Sequence, residues 1–428
     1  MLLHIGIDDT DSYLGGCTTY VGYRITKRLL TRGIKVLDYP RLVRLNPNVP
    51  WKTRGNGAVG ISIETELIDD IKGILDDEVG AALEKYGSFP TCVVITEQQR
   101  PTFEHFSSQA ISRIIDAGEI VEGLEAKLVY AWTSRKQGLI GALAAASNLL
   151  DYGDHTFEVL AYRRQEYIGK PRIIDPASVK SMDRYARFTF NNIDGERILI
   201  SPHGKDPVLF GIRGEDPDKL FEALTMVRSE PFEGVMVFKT NQATDTHYVS
   251  RKLSEVRLGD SVKLDLNVLE PPTIGLGGHV FVTLTDGVYK IKAAFYWETG
   301  ELRKAASLLI PGDSVTVFGG VKVSINPTIN VEKLLVNVLK QVYIHQNPVC
   351  PKCLTTSESA GRNKGYRCRR CKTLISGEKV TRVGNRPLVP GLYLPPIRYF
   401  RHLMKPLSRY GKEKHGYHFT TNTYKQII

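Results

Sequence analysis

The sequence predicts a multidomain α+β protein. An α/β unit comes first, a ferredoxin-like α+β unit second, an OB-type β-barrel third and a small metal-bound unit last. Three observations carry this. The 428 residues exceed what one hydrophobic core holds, so three or four domains are expected. The apolar pattern mixes helical and strand periods at first and changes to a period of two from about residue 258. Four of the six cysteines form two CxxC knuckles, Cys350-x2-Cys353-x14-Cys368-x2-Cys371.

Residues 2–7 read as a buried strand that ends in the acidic turn Asp8-Asp9-Thr10-Asp11. After Gly15-Gly16 a helix starts near Thr18, carries Val21, Ile25 and Leu29 on one face, and stops at Gly33. Strands follow at 34–39, 58–64 and 91–96, with helices at 68–86 and 104–116. Residues 138–150 read as an Ala-rich helix opened by glycines. Strands at 156–162, 197–201, 207–212 and 235–239, with a helix at 217–229, suit a ferredoxin-like sandwich. Beyond 258, alternation such as Val262, Leu264, Leu266 and Val268 against Lys263, Asp265 and Asn267 predicts five short strands of an OB barrel. The expected domains are 1–132, 133–250, 251–342 and 343–428.

Charge is uneven along the chain. The net is +11, yet residues 350–428 alone hold 17 Lys/Arg against 3 Asp/Glu, a net of +14. Such a basic end points to a polyanion, nucleic acid first. Tyr366, Tyr393, Tyr399, Phe400, Tyr410, Tyr417 and Phe419 are interleaved with the cations and can stack on unpaired bases. No run of 18 apolar residues exists, and the N-terminus has no signal-peptide pattern, so a cytoplasmic protein without a membrane span is expected.

The cysteine spacing offers four thiolates to one tetrahedral, structural zinc. Lys352, Arg367, Arg369, Arg370 and Lys372 favour the thiolate form, and Gly361-Arg362-Asn363-Lys364-Gly365 between the knuckles reads as a basic, RNA-facing turn. Asp8, Asp9 and Asp11 repel one another unless a cation joins them, and magnesium with a nucleotide triphosphate suits that demand. A turn-capping cluster is the competing reading. Thr18 is either an N-cap or a hydroxyl beside a bound phosphate. Lys52-Thr53-Arg54-Gly55-Asn56-Gly57 is either a phosphate cradle or a hairpin turn, and Gly138 and Gly141 mark either an anion nest or close helix packing. The chain lacks the Walker A, dinucleotide and nucleophile-elbow motifs, so any ATP site is of an unusual kind.

GIDDTDSYLGGCTTY at 6–20, PRLVRLNPNVPWKTRGNGAV at 40–59, GLIGALAAAS at 138–147 and NQATDTH at 241–247 resemble the archaeal tRNA-isoleucine 2-agmatinylcytidine synthetases, or agmatidine synthases. The resemblance spans essentially the whole chain. It implies an unusual kinase-like domain, a ferredoxin-like domain, an OB fold and a zinc ribbon. It also implies the ATP-dependent joining of agmatine to C2 of the wobble cytidine in an isoleucine tRNA with a CAU anticodon. Thr18 matches the family's self-phosphorylated threonine, and Asp8, Asp9 and Asp11 match its metal–ATP motif.

The expected roles follow from that match. Asp8, Asp9 and Thr18 are catalytic, and Asp8, Asp9 and Asp11 hold magnesium. Thr10, Asp11, Arg41, Arg44, Lys52, Arg54, Gly55, Asn56, Gly57, Gly138 and Gly141 contact ATP, and the four cysteines hold zinc. No protein partner is expected. The competing function is a non-catalytic RNA-binding protein built on the OB and ribbon modules, which leaves the acidic N-terminal cluster idle.

Overall fold

The computed structural model describes residues 1–118, 124, 128–151, 153–362 and 364–415. Asn363, Tyr417 and Phe419, singled out from sequence, lie outside the described residues. The first half of the chain builds one ten-stranded sheet. Its strands are β1 (Leu2–Asp8), β2 (Lys35–Val36), β3 (Arg41–Arg44), β4 (Gly57–Glu64), β5 (Thr91–Thr96), β6 (Tyr130–Thr133), β7 (Thr156–Arg163), β8 (Thr189–Phe190), β9 (Val208–Gly214) and β10 (Phe232–Thr240). The order is β6-β5-β1-β4-β3-β10-β7-β9-β8, with β2 also on β4.

The four strands β7 to β10, with helices between β7 and β8 (Pro176–Tyr185) and between β9 and β10 (Pro217–Thr225), have ferredoxin-like topology. Asp175 and Asp216 cap these two helices through their carboxylates, each followed by proline at the first helical position. This unit does not form a separate sheet. β10 runs parallel to β3, with Lys239 opposite Arg41 and Thr240 opposite Leu42, and the two halves become continuous. Strand β3 is absent from the sequence reading because RLVR is too short to show a period.

Helices α1 (Thr18–Thr31) and α2 (Ile68–Tyr86) cover one face of the N-terminal strands, where Leu3, Ile5 and Ile7 point. The other face carries α3 (Arg100–Ser112) and α4 (Lys136–Ser147). Here Gly6 and Gly60 are cross-strand partners. A Cβ on Gly6 would lie 1.8 Å from the Ala142 carbonyl oxygen, and one on Gly60 2.2 Å from that of Ala145. The glycine pair makes a flat spot, and the Ala-rich helix α4 lies directly on it.

The second core is a closed five-stranded barrel. Ser261–Val268 pairs with Ser314–Val321 on one side and with Val280–Thr285 on the other, while Lys290–Phe295 runs parallel to Thr328–Val338. With a short helix, Glu301–Ser307, before the fourth strand, this is OB topology. The ribbon follows, as a three-stranded sheet of Ser357–Ser359, Tyr366–Cys368 and Leu374–Ile375. Among the described residues no helix is long and apolar enough to cross a membrane.

The basic stretch after the ribbon does not stay with it. It runs back over the first sheet and the barrel, and most of its cations are spent there. Arg409, fully buried, binds Asp154 at 2.9 Å, Glu215 at 2.6 Å and the Ala243 carbonyl at 2.6 Å. Arg398 pairs with Asp194, Arg401 with Glu332, Lys405 with Asp154 and Lys414 with Glu215. The aromatic ring of Tyr410 lies beneath Lys333 and Lys405. The +14 read from sequence therefore overstates the charge free for a polyanion.

Two expectations follow from these contacts. Gly6→Ala should cost at least the ~1–3 kcal/mol typical of overpacking, because the obstacle is backbone. Gly73→Ala, in α2 with nothing within 4 Å of its Cβ, should gain up to ~1 kcal/mol. Urea unfolding of the full chain measures both. The second concerns Glu332, buried where the barrel meets the C-terminal stretch. Burial alone would raise its carboxyl, but Arg401, His247 and the Tyr248 hydroxyl outweigh that and hold it at about 2, below its ordinary 4.5. The unfolded chain then binds a proton there at a pH where the native state does not. Stability should fall as pH drops from 4.5 toward 2, by on the order of 3 kcal/mol from this group. Glu332→Gln should flatten that part of the stability–pH curve.

Candidate active site

Strand alternation delivers the acidic turn. With Leu3, Ile5 and Ile7 on the α1/α2 face, Asp8 emerges on the α4 face, against the first turns of that helix. A Cβ on Gly141 would lie 1.7 Å from Asp8 Oδ2, and one on Gly138 2.3 Å from Thr91 Oγ1 and 3.1 Å from Asp9 Oδ2. The two glycines thus make room for carboxylates, which is the close-packing reading of GLIG. The Gly138 N–H is spent on the Arg135 carbonyl at 3.2 Å.

Asp9 holds a left-handed φ of 55°, a conformation that costs a non-glycine residue energy and clusters at functional positions. Its N–H donates to Asp8 Oδ1 at 2.8 Å. Asp11 accepts from the Thr53 hydroxyl at 2.9 Å and faces Arg54 at 3.4 Å. Burial pushes Asp8 well above the ordinary carboxylate range, and the charges of Asp9 and Asp11 add to it. Burial and Asp11 raise Asp9 to about 6, against the pull of Arg135. Asp11 is raised by burial in spite of Thr53 and Arg54. Three neighbouring carboxylates that resist ionisation carry a charge conflict that a cation would relieve, although among the described residues only the four ribbon cysteines bring their ligand atoms within 4.8 Å of one another.

Cys17 occupies the N-cap of α1 without a side-chain cap, and Thr18 is the first helical residue. The Thr18 hydroxyl accepts from the buried Thr10 hydroxyl at 3.2 Å and lines the same cleft as the three aspartates. The N-cap reading of Thr18 is therefore set aside.

KTRGNG closes a hairpin and lines a cleft at once. β3 and β4 pair antiparallel from Arg44↔Gly57, and the Leu45 N–H meets the Asn56 carbonyl at 2.9 Å. Asn56 takes φ 45°, as the turn demands. The intervening loop places Lys52, Thr53 and Asn56 between two clefts, of about 280 and 450 Å³, that share Asp8, Asp9 and Asp11. The smaller adds Thr18, Arg44, Arg54, Gly55 and Gly57; the larger adds Trp51, Phe89, Arg135 and Gly141. Arg54 is tied to Asp11 and to Asp206 at 3.2 Å. Among the described residues Arg44 and Lys52 enter no ion pair, and burial lowers both from their ordinary values. In the smaller cleft they are the cations left for an incoming anion, and Arg113 and Arg135 in the larger cleft are likewise outside any ion pair among the described residues. Arg41 is not brought to the cleft; it is buried under the sheet, bonded to Ser62 at 2.7 Å.

The smaller cleft also holds Glu158, Asp206, Arg213 and His402, none of which the sequence signalled. NQATDTH connects them. Asn241 clamps Arg44 by accepting from its N–H at 2.8 Å and donating to its carbonyl at 2.9 Å. Gln242 bonds Glu158 and His402, and Asp245 receives Lys333 at 2.7 Å and the Lys405 N–H at 2.7 Å. The polar heptad itself was the only signal in the sequence; its two left-handed non-glycine residues, Ala243 and Asp245, show only in the fold.

The four ribbon cysteines converge. Cys350–Cys371, Cys350–Cys353 and Cys353–Cys368 Sγ separations are 3.6, 3.7 and 3.4 Å. A tetrahedral ZnS4 site with ~2.3 Å bonds spaces its sulfurs by about 3.8 Å. The two knuckles have the same backbone: Leu354 and Lys372, four residues after Cys350 and Cys368, take φ 54° and 60°. In each, the N–H of that residue returns to the first cysteine's carbonyl, at 2.9 and 3.1 Å. The set fits zinc. One zinc per chain is expected by plasma emission analysis. Cys368→Ser should reduce it to near zero and open the ribbon to protease while the thermal melt of the large sheet persists.

Family models match in three places: the TiaS TCKD domain at residues 4–74, the TiaS FLD domain at 136–247 and the TiaS C-terminal zinc ribbon domain at 347–388. The chain is 40% identical over 437 residues to the isoleucine-tRNA 2-agmatinylcytidine synthetase TiaS of Staphylothermus marinus, covering 97% of this chain and 95% of that protein. It is 36% identical to the Archaeoglobus fulgidus protein of that name, covering 96% and 99%. A complex of TiaS with its isoleucine tRNA and ATP superposes with a TM-score of 0.83 at 35% identity, over 96% of this chain and 97% of that one. A complex of TiaS with the same tRNA, AMPCPP and agmatine gives 0.80 at 33%, with the same coverage. With likeness running through the large sheet, the barrel and the ribbon, the chain belongs to the isoleucine-tRNA 2-agmatinylcytidine synthetase (TiaS) family.

Proposed function

We propose that this chain joins agmatine to C2 of the wobble cytidine of an isoleucine tRNA with a CAU anticodon, at the expense of ATP and in the cytoplasm, so that the tRNA reads AUA instead of AUG. The observation that carries the reading is the meeting of Asp8, Asp9 and Asp11, shared by two clefts, with Thr18 in the smaller one and Arg44 and Lys52 free of ion pairs beside them. A non-catalytic RNA-binding protein has no use for that cluster.

The chemistry asks for charge neutralisation and positioning. The cytosine C2 oxygen takes a phosphoryl group from ATP: an O–P bond forms and the phosphoanhydride bond breaks. The agmatine amine then adds at C2 and loses a proton, and the C2–O bond breaks as phosphate leaves. A loose phosphoryl-transfer transition state needs its spreading charge met by fixed cations, which Arg44 and Lys52 provide. Magnesium held by Asp8, Asp9 and Asp11 would add Lewis-acid neutralisation at the phosphates. The Thr18 hydroxyl lines the same cleft, so one nucleotide site serves both Thr18 and the cytidine. The ribbon grips the RNA: among the described residues Lys352, Arg362, Lys364, Arg370 and Lys372 form no ion pair.

Asp8→Asn and Asp9→Asn should keep fold and tRNA binding and lose phosphoryl transfer to Thr18 and to the wobble cytidine together, by orders of magnitude. Radiolabelled agmatine incorporation beside mass spectrometry of Thr18 reads both. Near-normal transfer in the folded variants would remove the cluster from the mechanism. Deleting 347–388 alone should weaken tRNA binding and flatten its salt dependence while sparing ATP binding. Deleting 343–428 should damage the catalytic body as well, because it strips His402 and Arg409 from the first sheet.

A further inference from the structure

The stretch after the ribbon brings His402 to the wall of the smaller cleft, beside Gly55, where a Cβ would lie 2.6 Å from its Nε2. Its other ring nitrogen, Nδ1, faces Gln242 Oε1 at 3.1 Å. That amide has one orientation, because its Nε2 donates to the Glu158 carboxylate at 2.5 Å. A carboxylate takes only donors, so the amide oxygen is left facing the histidine. An amide oxygen only accepts, so Nδ1 carries the proton and Nε2 carries the lone pair. Arg213 Nη2 lies farther from Nδ1, at 3.4 Å, and it is the Nε of that guanidinium that donates to Glu158, at 2.9 Å. The charge of Arg44, burial and the charge of Arg213 all oppose a second proton and hold the ring well below its ordinary 6.5. Glu158 and Gln242 thus favour one tautomer, through the shorter contact to Nδ1, and the two arginines keep the imidazole neutral.

Among the described residues Nε2 makes no hydrogen bond. The neighbouring carboxylates are taken, Glu158 by Arg213 and Gln242, and Asp206 by Arg172 and Arg54. His402 Nε2 is thus a neutral acceptor on the cleft wall to which no described residue donates. A cationic amine there would sit beside two guanidinium groups and be repelled. A neutral amino group is a pure donor and suffers no such penalty.

We propose that His402 Nε2 accepts a hydrogen bond from the exocyclic amino group of a nucleobase in the smaller cleft, and so acts as a base-discriminating residue. The inference rests on the reaction proposed above. Uracil presents a carbonyl oxygen where cytosine presents the amino group, and hypoxanthine does so where adenine presents it. Either replacement sets two lone pairs against each other. A site built around a polar partner rejects such an analogue far more strongly than an apolar pocket does.

The test compares the full-length wild type with His402→Leu and His402→Gln. Agmatine transfer is measured to transcripts with a wobble cytidine or uridine, and with ATP or ITP, with zinc content and thermal melt as fold controls. His402→Leu should lower kcat/KM for the cytidine transcript at least tenfold. It should also narrow either the cytidine/uridine ratio or the ATP/ITP ratio by a similar factor, and the ratio that narrows names the base. His402→Gln, which restores an acceptor oxygen, should lie nearer wild type in that ratio. Both ratios unchanged in folded His402→Leu, or an effect confined to the KM for agmatine, overturns the proposal.

Should His402→Leu fail to fold, 15N-imidazole spectra of the wild type decide. The His402 signal, identified by its loss in His402→Gln, should keep an unprotonated Nε2 below pH 6.5 and shift on adding ATP or the cytidine transcript. A ring that titrates ordinarily, or that ignores both ligands, overturns it. A wild type that transfers no agmatine refutes the assigned reaction instead, and the shift with ATP still tests His402.

Discussion

The seat of helix α4 on the Gly6–Gly60 pair is the contact on which the candidate site depends. Two glycines opposite each other across β1 and β4 let a helix backbone approach to a distance no side chain allows. That approach carries Gly138 and Gly141 against Asp9 and Asp8. It also buries the carboxylates, and burial is the main reason they resist ionisation. A looser seat would leave the same three aspartates as a solvated turn.

The second constraint is the continuity of the sheet. Parallel pairing of β10 with β3 fuses the ferredoxin-like strands to the N-terminal strands, so the smaller cleft takes walls from both. Arg44 and Asn241 meet across that seam. NQATDTH, at its end, binds the cleft through Gln242, the barrel through His247 and Glu332, and the C-terminal stretch through Asp245. One polar heptad therefore ties three parts of the chain together through buried hydrogen bonds, and His247 Nδ1 is the buried atom in it that finds no partner among the described residues.

Charge is allotted according to the same geometry. Most cations after the ribbon are paired and hold the stretch to the body, whereas several cations of the ribbon itself stay open. In the cleft, Arg54 and Arg213 are neutralised by carboxylates, and Arg44 and Lys52 are not. Binding of a polyanionic substrate then needs little rearrangement, because the cations that would meet it are not already committed.

The sequence by itself determined the local features. The strand into Asp8-Asp9-Thr10-Asp11, the helix from Thr18 to the Gly33 turn, the OB alternation and the cysteine knuckles each rest on residues close together in the chain. Periodicity, turn chemistry and ligand spacing report such neighbours directly. Tertiary structure decided what depends on contacts across hundreds of residues. It set Arg41 apart from the cleft, although it lies in the same strand as Arg44. It turned the glycines of GLIG from a candidate nest into space for Asp8 and Asp9. It split the basic C-terminal region into a ribbon with open cations and a stretch whose cations are mostly paired with carboxylates of the body. Glu158, Asp206, Arg213 and His402 entered the site from β7, the loop before β9, β9 itself and the far end of the chain. No local pattern marks such residues, because what makes them a set is the closeness of side chains that only the folded sheet and the returning C-terminal stretch bring together.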